Sequence, residues 1–272
     1  MIWIAAATDT RAMAGVDPKR QAVLAHARDP ISKAANRKRY VLTQYPTAAY
    51  AADAEMSLPD YVAFVTSAMF LDRSSPSDAW QELGRRQASL VEYMSRVKTL
   101  RIESPGTDVS LSVEGRVWIN SDGRRNMPSG EIFSGPVEDS VRGKLQCSFP
   151  VCRGGRRIAG IALEIEGGQV VAAHADEEND YLQSMLNLDA GARRFGEIGI
   201  GLNTGISRFT GRILFDEKIG GTIHLALGDS YPETGGVNKS TLHWDLILDT
   251  RTDGRVIADG KTVMENGRWL VG

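Results

Sequence analysis

Three segments in the final third constrain the fold more than anything else in the chain, because each alternates between two chemically different faces. "STLHWDLILD", residues 240–249, places Leu242, Trp244, Leu246 and Leu248 on one side of an extended backbone and His243 with Asp245 on the other. "GEIGIGLN", residues 196–203, sets Ile198, Ile200 and Leu202 against Glu197, Gly199 and Gly201. "TIHLALG", residues 222–228, sets Ile223, Leu225 and Leu227 against Thr222, His224, Ala226 and Gly228. Period-two alternation predicts strands, each with an apolar face for packing and a second face bearing acids or imidazoles among small residues. Desolvating a carboxylate or an imidazole alone costs several kcal/mol, so these groups need a partner. Carboxylates and imidazoles that converge form the ligand set of a divalent cation, and two His with several Asp/Glu suit Zn, Mn, Co or Mg better than a thiolate-seeking metal.

Taken singly, each residue has a plainer explanation. A lone strand histidine is more often packed or solvated than ligating, Glu197 alone reads as a solvated strand acid, and Asp245 alone as half of a salt bridge. Their joint placement brings the metal reading level with these. His26 and His174 lack such a setting and are read as structural or exposed.

The rest of the chain bounds the class. Its 272 residues suffice for one large domain or two ordinary ones, and 42% hydrophobic with 24% charged residues is the balance of a soluble globular protein. A formal net charge of −2 gives no electrostatic case for nucleic acid or an anionic membrane. Cys147 and Cys152 are too few for a disulfide framework and lack C-x-x-C spacing, which points to a reducing, cytoplasmic compartment. The opening "MIWIAAATDT" has no basic leader and is too short to span a bilayer. It reads as a fully buried strand of a parallel sheet, and a chain that opens in such a strand reads as cut.

Between that strand and the apolar stretch "YVLTQYP" lies a polar, Arg- and Lys-rich segment to about Arg39. Two helices follow. Ser57, Pro59 and Asp60 begin the first, with Val62, Val65, Ala68 and Met69 on its inner stripe. Ser75, Pro76 and Asp78 begin the second, whose stripe is Trp80, Leu83, Leu90, Val91, Met94 and Val97. From Lys98 short alternating runs dominate, with turns at Pro105–Gly106, Asp122–Gly123 and Gly167–Gly168, and one more helix is expected in "ENDYLQSMLNL". The expected fold class is α/β plus α+β: a partial N-terminal α/β, Rossmann-like domain over residues 1–97, then a strand-rich mixed metal-binding domain over 98–272. "GGVNKS" fails as a phosphate loop because Asn238 and Glu233 stand where glycines belong, and "GIGLNTG" fails as a dinucleotide fingerprint at Thr204. Neither H-E-x-x-H nor G-x-S-x-G occurs.

"NSDGRRNMPSGEIFSGPVEDS", "FGEIGIGLNTGISRFTGRILFDEKIGGTIHLALGDSYPETGG" and "NKSTLHWDLILD" together resemble the thermophilic metallo-aminopeptidases of the aminopeptidase T and aminopeptidase S type, and "AGVDP" and "AEMSLPDYVAFV" are similar to that family too. The resemblance covers nearly the whole chain. It implies an exopeptidase that removes N-terminal residues from peptides with two neighbouring divalent metal ions (Zn, Co, Mn or Mg), with a homodimer as the usual assembly and peptides with a free N-terminus as partners. Carried over, the family's metal ligands fall on Glu131, Glu197, Glu217, His224, His243 and Asp245, and its catalytic tyrosine on Tyr231. Two cations about 3.5–4 Å apart can activate a water held between them. Glu131 or Glu197 would then move the proton and Tyr231 would donate to the developing oxyanion. Without the resemblance Tyr231 reads as a turn-flanking aromatic, Glu131 as a surface acid at a strand start, and Glu217 as a solvated loop acid beside Asp216 and Lys218.

One departure stands out. The family's N-terminal α/β domain is longer, and "MIWIAAATDT" resembles a segment from its middle, so an exposed sheet edge and apolar surface are expected here. That leaves two competing readings: a non-catalytic metal-binding or assembly protein, and a two-metal hydrolase of another amide or ester.

Overall fold

The three alternating segments pair with one another in a five-stranded antiparallel sheet, which defines the molecule's layering. The computed structural model describes residues 1–271, apart from the side chains at positions 18, 19, 22, 25, 26, 29, 32, 33 and 36. The expectation for His26 therefore lies outside the described residues.

The first part runs β1 (Ile2–Ala5), α1 (Pro18–Asn36), β2 (Val41–Gln44), α2 (Ala48–Asp53), α3 (Leu58–Ala68) and α4 (Pro76–Met94). Strands follow: β3 (Thr99–Ser104), β4 (Thr107–Ser112), β5 (Ile119–Ser121), β6 (Asn126–Met127), β7 (Glu131–Ser134), β8 (Arg142–Gln146), β9 (Val151–Arg153), β10 (Arg156–Ile158), β11 (Ala162–Glu166) and β12 (Gln169–His174). Helix α5 (Asn179–Leu186) leads to β13 (Phe195–Gly201), α6 (Ile213–Asp216), β14 (Thr222–Gly228) and β15 (His243–Asp249). The chain closes with β16 (Arg255–Ala258), β17 (Lys261–Glu265) and β18 (Arg268–Trp269). The architecture is mixed α/β, with a small parallel sheet β1-β2-β6 beside antiparallel sheets.

The five-stranded sheet has the order β15-β14-β13-β7-β5, and an eight-stranded sheet has the order β12-β11-β8-β4-β3-β16-β17-β18. Ile198, Ile200, Ile223, Leu225, Leu227, Trp244, Leu246 and Leu248 all face one apolar core, which they share with Leu100, Ile102, Val109, Leu145, Leu163 and Val256 of the larger sheet. Burying each such side chain contributes about 1.5–3 kcal/mol, so the apolar face fixes which way every strand turns. The acids and imidazoles are thereby forced onto the other face. A second apolar cluster joins Tyr50, Tyr61, Phe64, Val65 and Ala68 to Ile206, Phe215 and Ile219. Both clusters draw on residues from either side of residue 97.

Several expectations need correction. The opening strand pairs in parallel with β2, as its composition predicts, but it is not buried: Ile2 and Ile4 are 73% and 62% exposed. It has one strand neighbour, β2, at the edge of a three-stranded sheet. The Arg- and Lys-rich segment forms α1, a helix whose weak amphipathic pattern did not announce it. In α3 the Ser57 hydroxyl accepts from the Asp60 amide at 3.2 Å, as expected of a cap, but Val62 points to solvent and Tyr61 and Phe64 fill the core instead. Ser75 precedes α4 without a side-chain cap bond. The buried face of α4 includes Gln87, whose amide nitrogen lies 2.6 Å from the Glu131 carbonyl and 2.8 Å from Asn120 Oδ1, which clamps the helix to β7 and β5. His174 is exposed, as read.

Candidate metal centre

Strand register sets the site. Asp245 lies opposite Ala226, which in turn lies opposite Glu197; His243 faces Gly228, His224 faces Gly199, and Glu131 faces Gly201. Small residues alternate with ligand-type residues across the sheet, so no side chain blocks its neighbour. Gly199 shows why: a Cβ there would lie 2.0 Å from His224 Nε2, because the imidazole lies across the glycine.

The geometry is crowded with acceptors. His243 Nε2 is 3.2 Å from Glu197 Oε2 and 3.5 Å from Asp245 Oδ1, and His224 Nε2 is 3.5 Å from Glu197 Oε1 and 3.7 Å from Glu131 Oε2. His243 Nδ1 lies 3.0 Å from the Asp229 carbonyl. A carbonyl can only accept, so the ring proton sits on Nδ1 and the Nε2 lone pair is left facing the carboxylates. Two acceptors in such contact need a positive charge between them, either a proton or a cation.

Electrostatics record the same demand. Burial pushes Glu197 up, but the imidazoles of His224 and His243 outweigh it and hold the carboxyl below its ordinary range. Burial would lower His224, yet Glu197, Glu131 and Asp245 raise it to about 9. His243 is likewise raised well above the usual imidazole range by Asp245 and Glu197 against the effect of burial. Asp245 is held low by His243, His224 and Lys218, which overcome its burial. Burial first, then repulsion from Glu131 and Asp245, pushes Glu217 up to about 8 despite Lys218 beside it.

Whether a metal fits can be tested on the atoms left without partners. Glu131 Oε2, both ring nitrogens of His224 and Asp245 Oδ1 are buried and make no hydrogen bond among the described residues. One ligand atom each from Glu197, His224 and Asp245 lies within 4.8 Å of the others, a spacing at which one ion can be held. Unpaired buried acceptors cost free energy that a divalent cation would recover, so the donor set fits the ion.

The structure brings all seven sequence-selected residues to this face of the sheet. Glu131, Glu197, Glu217, His243 and Tyr231 line a cavity of about 1220 Å³, together with Trp80 and Phe133. The Tyr231 ring packs between Phe133 at 5.2 Å and His243 at 5.3 Å, and Tyr231 lines this cavity while 40% of its surface stays exposed. Burial in the cavity, with Glu197 and Asp245 nearby, pushes its hydroxyl well above the usual phenol range, so it stays a donor. A second cavity of about 1240 Å³, lined by Arg153, Arg157 and Arg208, contains none of these groups.

Sequence reasoning missed Lys218, which is fully buried with its ammonium against Glu217 and 3.3 Å from Glu131 Oε1. A charged residue between the core residues Phe215 and Ile219 was the available signal.

Comparison with known proteins identifies the family and the fold. Residues 1–269 match the family described as thermophilic metalloprotease (M29). Aminopeptidase 2 of Geobacillus stearothermophilus is 32% identical over 93% of this chain and 72% of its own length. Aminopeptidase T of Thermus aquaticus is 28% identical over 74% of this chain and 56% of its own. The solved structure of wild-type AmpT from Thermus thermophilus superposes with a TM-score of 0.86 at 25% identity, covering 99% of this chain and 76% of that one.

Proposed function

This chain belongs to the thermophilic metalloprotease (M29) family, and on that premise we propose that it is a metal-dependent aminopeptidase that removes the N-terminal residue of peptides at a centre for two divalent cations. The observation that carries this reading is the set of donorless, buried acceptors around Glu197, His224 and Asp245 on the wall of a cavity large enough for a peptide. Glu131, Glu197, Glu217, His224, His243 and Asp245 would hold the ions. Bound there, the ions supply Lewis acidity, which polarises the scissile carbonyl and makes water nucleophilic near neutral pH.

The chain's own groups supply the rest. The sheet face fixes the ligands without adjustment during reaction, because their strands are anchored by the core behind them. A carboxylate near the ions would meet the substrate's free α-amine, which restricts cleavage to the first residue. Glu131 or Glu197 carries the proton to the leaving amine. Tyr231 donates a hydrogen bond from its hydroxyl to the developing oxyanion. The working unit in this reading is a homodimer in a reducing compartment, and both cysteines are free thiols.

The test compares short peptides with free and acetylated N-termini, with metal-loaded and chelated protein. Release of N-terminal residues only from free peptides, and only with metal, is expected; cleavage indifferent to both conditions rejects the assignment. Tyr231→Phe should lower kcat by about 10²–10³-fold, with metal content unchanged.

A further inference from the structure

Lys218 carries an inference that deepens the proposed function and rests on it. Four carboxylates, Glu131, Glu197, Glu217 and Asp245, gather on one sheet face, and among the described residues one lysine, Lys218, is buried beside them with its ammonium against Glu131 and Glu217. That ammonium is placed by the fold. The Lys218 amide donates to the Phe215 carbonyl at 3.0 Å, and the Lys218 carbonyl accepts from the Asn203 amide at 3.0 Å. Asn203 is itself fixed, donating through Nδ2 to the Ala68 carbonyl at 3.0 Å and the Ser129 carbonyl at 2.9 Å. Phe215 and Ile219, on either side, are locked into the cluster with Tyr61 and Phe64. Gly201 lets this turn descend onto the sheet, since a Cβ there would lie 2.2 Å from the Ile219 carbonyl oxygen and 2.9 Å from the Lys218 carbonyl carbon. Gly201 is also the register partner of Glu131. The ammonium is thus delivered to the Glu131–Glu217 side of the site, away from His243.

We propose that Lys218 is a positioning residue that serves as the resident counter-cation of the metal centre. In the metal-free protein its charge holds Glu131 and Glu217 in place where a second divalent ion would otherwise be required, and in the loaded protein it opposes that ion. Removing the buried lysine takes from Glu131 and Glu217 the ammonium that both contact and leaves the His224 imidazole, 3.7 Å from Glu131, as the nearby positive group, a destabilising change. A divalent ion supplies the missing charge, so metal should rescue the loss.

The experiment is thermal unfolding of the whole chain and its Lys218→Met variant, each in chelator and in saturating Zn²⁺ or Mn²⁺, with calorimetric titration of the same ions. In chelator the variant should melt roughly 5–10 °C below the parent. With metal the gap should close, and the second equivalent of ion should bind more tightly to the variant than to the parent. A double variant, Lys218→Met with Glu217→Gln, should recover part of the chelator-state loss, and it gives a readout if the single variant does not fold without metal. An equal deficit with and without metal, or no recovery in the double variant, overturns the proposal while the aminopeptidase reading stands. If the parent itself takes up neither ion, both fall together.

Discussion

The strands Ile2–Ala5 and His243–Asp249 are both apolar runs and both lie at the edge of their sheets, yet they finish in opposite environments. Ile2 and Ile4 are largely exposed, whereas Leu246 and Leu248 are fully buried. The wholly apolar IWIA is the exposed one and HWDLILD, with its His and two Asp, the buried one, so what covers a strand decides here and apolar content does not. β15 has the eight-stranded sheet against its apolar face. Its outer edge is also satisfied, because the Ser148 amide donates to the Ile247 carbonyl at 3.0 Å and Arg153 Nη1 donates to the His243 carbonyl at 2.7 Å. β1 has β2 on one side and, among the described residues, no such bonds along the other. An apolar run therefore makes a strand, but a second layer and a closed edge make it rigid. A centre that must hold acids within a few ångströms of each other belongs on the second kind.

The largest effect that would break this comparison targets that rigidity. Gly199→Ala places a methyl where the His224 ring lies, and the ring, fully buried, has nowhere to relocate without moving its neighbours. Peptidase activity should fall by on the order of 10³-fold, the scale of losing several kcal/mol of metal-borne stabilisation. Stability of the chelated protein should fall by only about 1–3 kcal/mol, the usual cost of overpacking. Full activity in this variant, measured beside its metal content, would show that the sheet face is more adaptable than its register implies.

Much of that face was legible in the residue order. Period-two alternation located β13, β14 and β15 and put Glu197, His224, His243 and Asp245 on the non-apolar face of their strands among small residues, because apolar burial leaves strands only one acceptable orientation. Glu131, Glu217 and Tyr231 were selectable only through family resemblance, since each sits at a strand start, a short helix end or a turn where no periodicity acts. Lys218 and Gln87 were missed for a different reason. Their burial depends on long-range contacts, with Glu131 and Glu217 for one and with Glu131 and Asn120 for the other, that local pattern does not encode. α1 was missed because its sequence has no clear apolar stripe, and the exposure of Ile2 and Ile4 contradicts the fully buried strand read from composition but agrees with the exposed sheet edge and apolar surface that the family resemblance implies.

A smaller effect sharpens the contrast at the approach to β15. Asp189 accepts from the Ser240 hydroxyl at 2.7 Å, the Thr241 amide at 2.8 Å and the Gly191 amide at 3.0 Å, pinning the loop that delivers His243. Burial would raise this carboxyl, but these donors hold it below its ordinary range. The sign follows: a lowered folded value gives stability that is present above the unfolded value of about 3.9 and is lost as pH falls through the folded one. Asp189→Asn should cost about 1–2 kcal/mol at neutral pH and flatten the acid limb of the stability profile. Denaturant melts of both proteins from neutral pH down to about pH 2, through and below the unfolded Asp value of about 3.9, check it, and parallel acid limbs would remove Asp189 from the account.

The smallest effect is the matched change in the parallel sheet. Ile4→Ala removes three carbons that already face solvent, so its cost should stay within about 0.5 kcal/mol, as for other surface positions. The same truncation at a buried aliphatic site, Leu246→Ala, should cost about 2–5 kcal/mol. Equilibrium unfolding of the two variants measures the ratio directly. A cost of 2 kcal/mol or more at Ile4, within the buried-site range, would mean that β1 is covered in solution as β15 is within the chain. The difference between the sheets would then lie in what surrounds them, with both strands built to be buried.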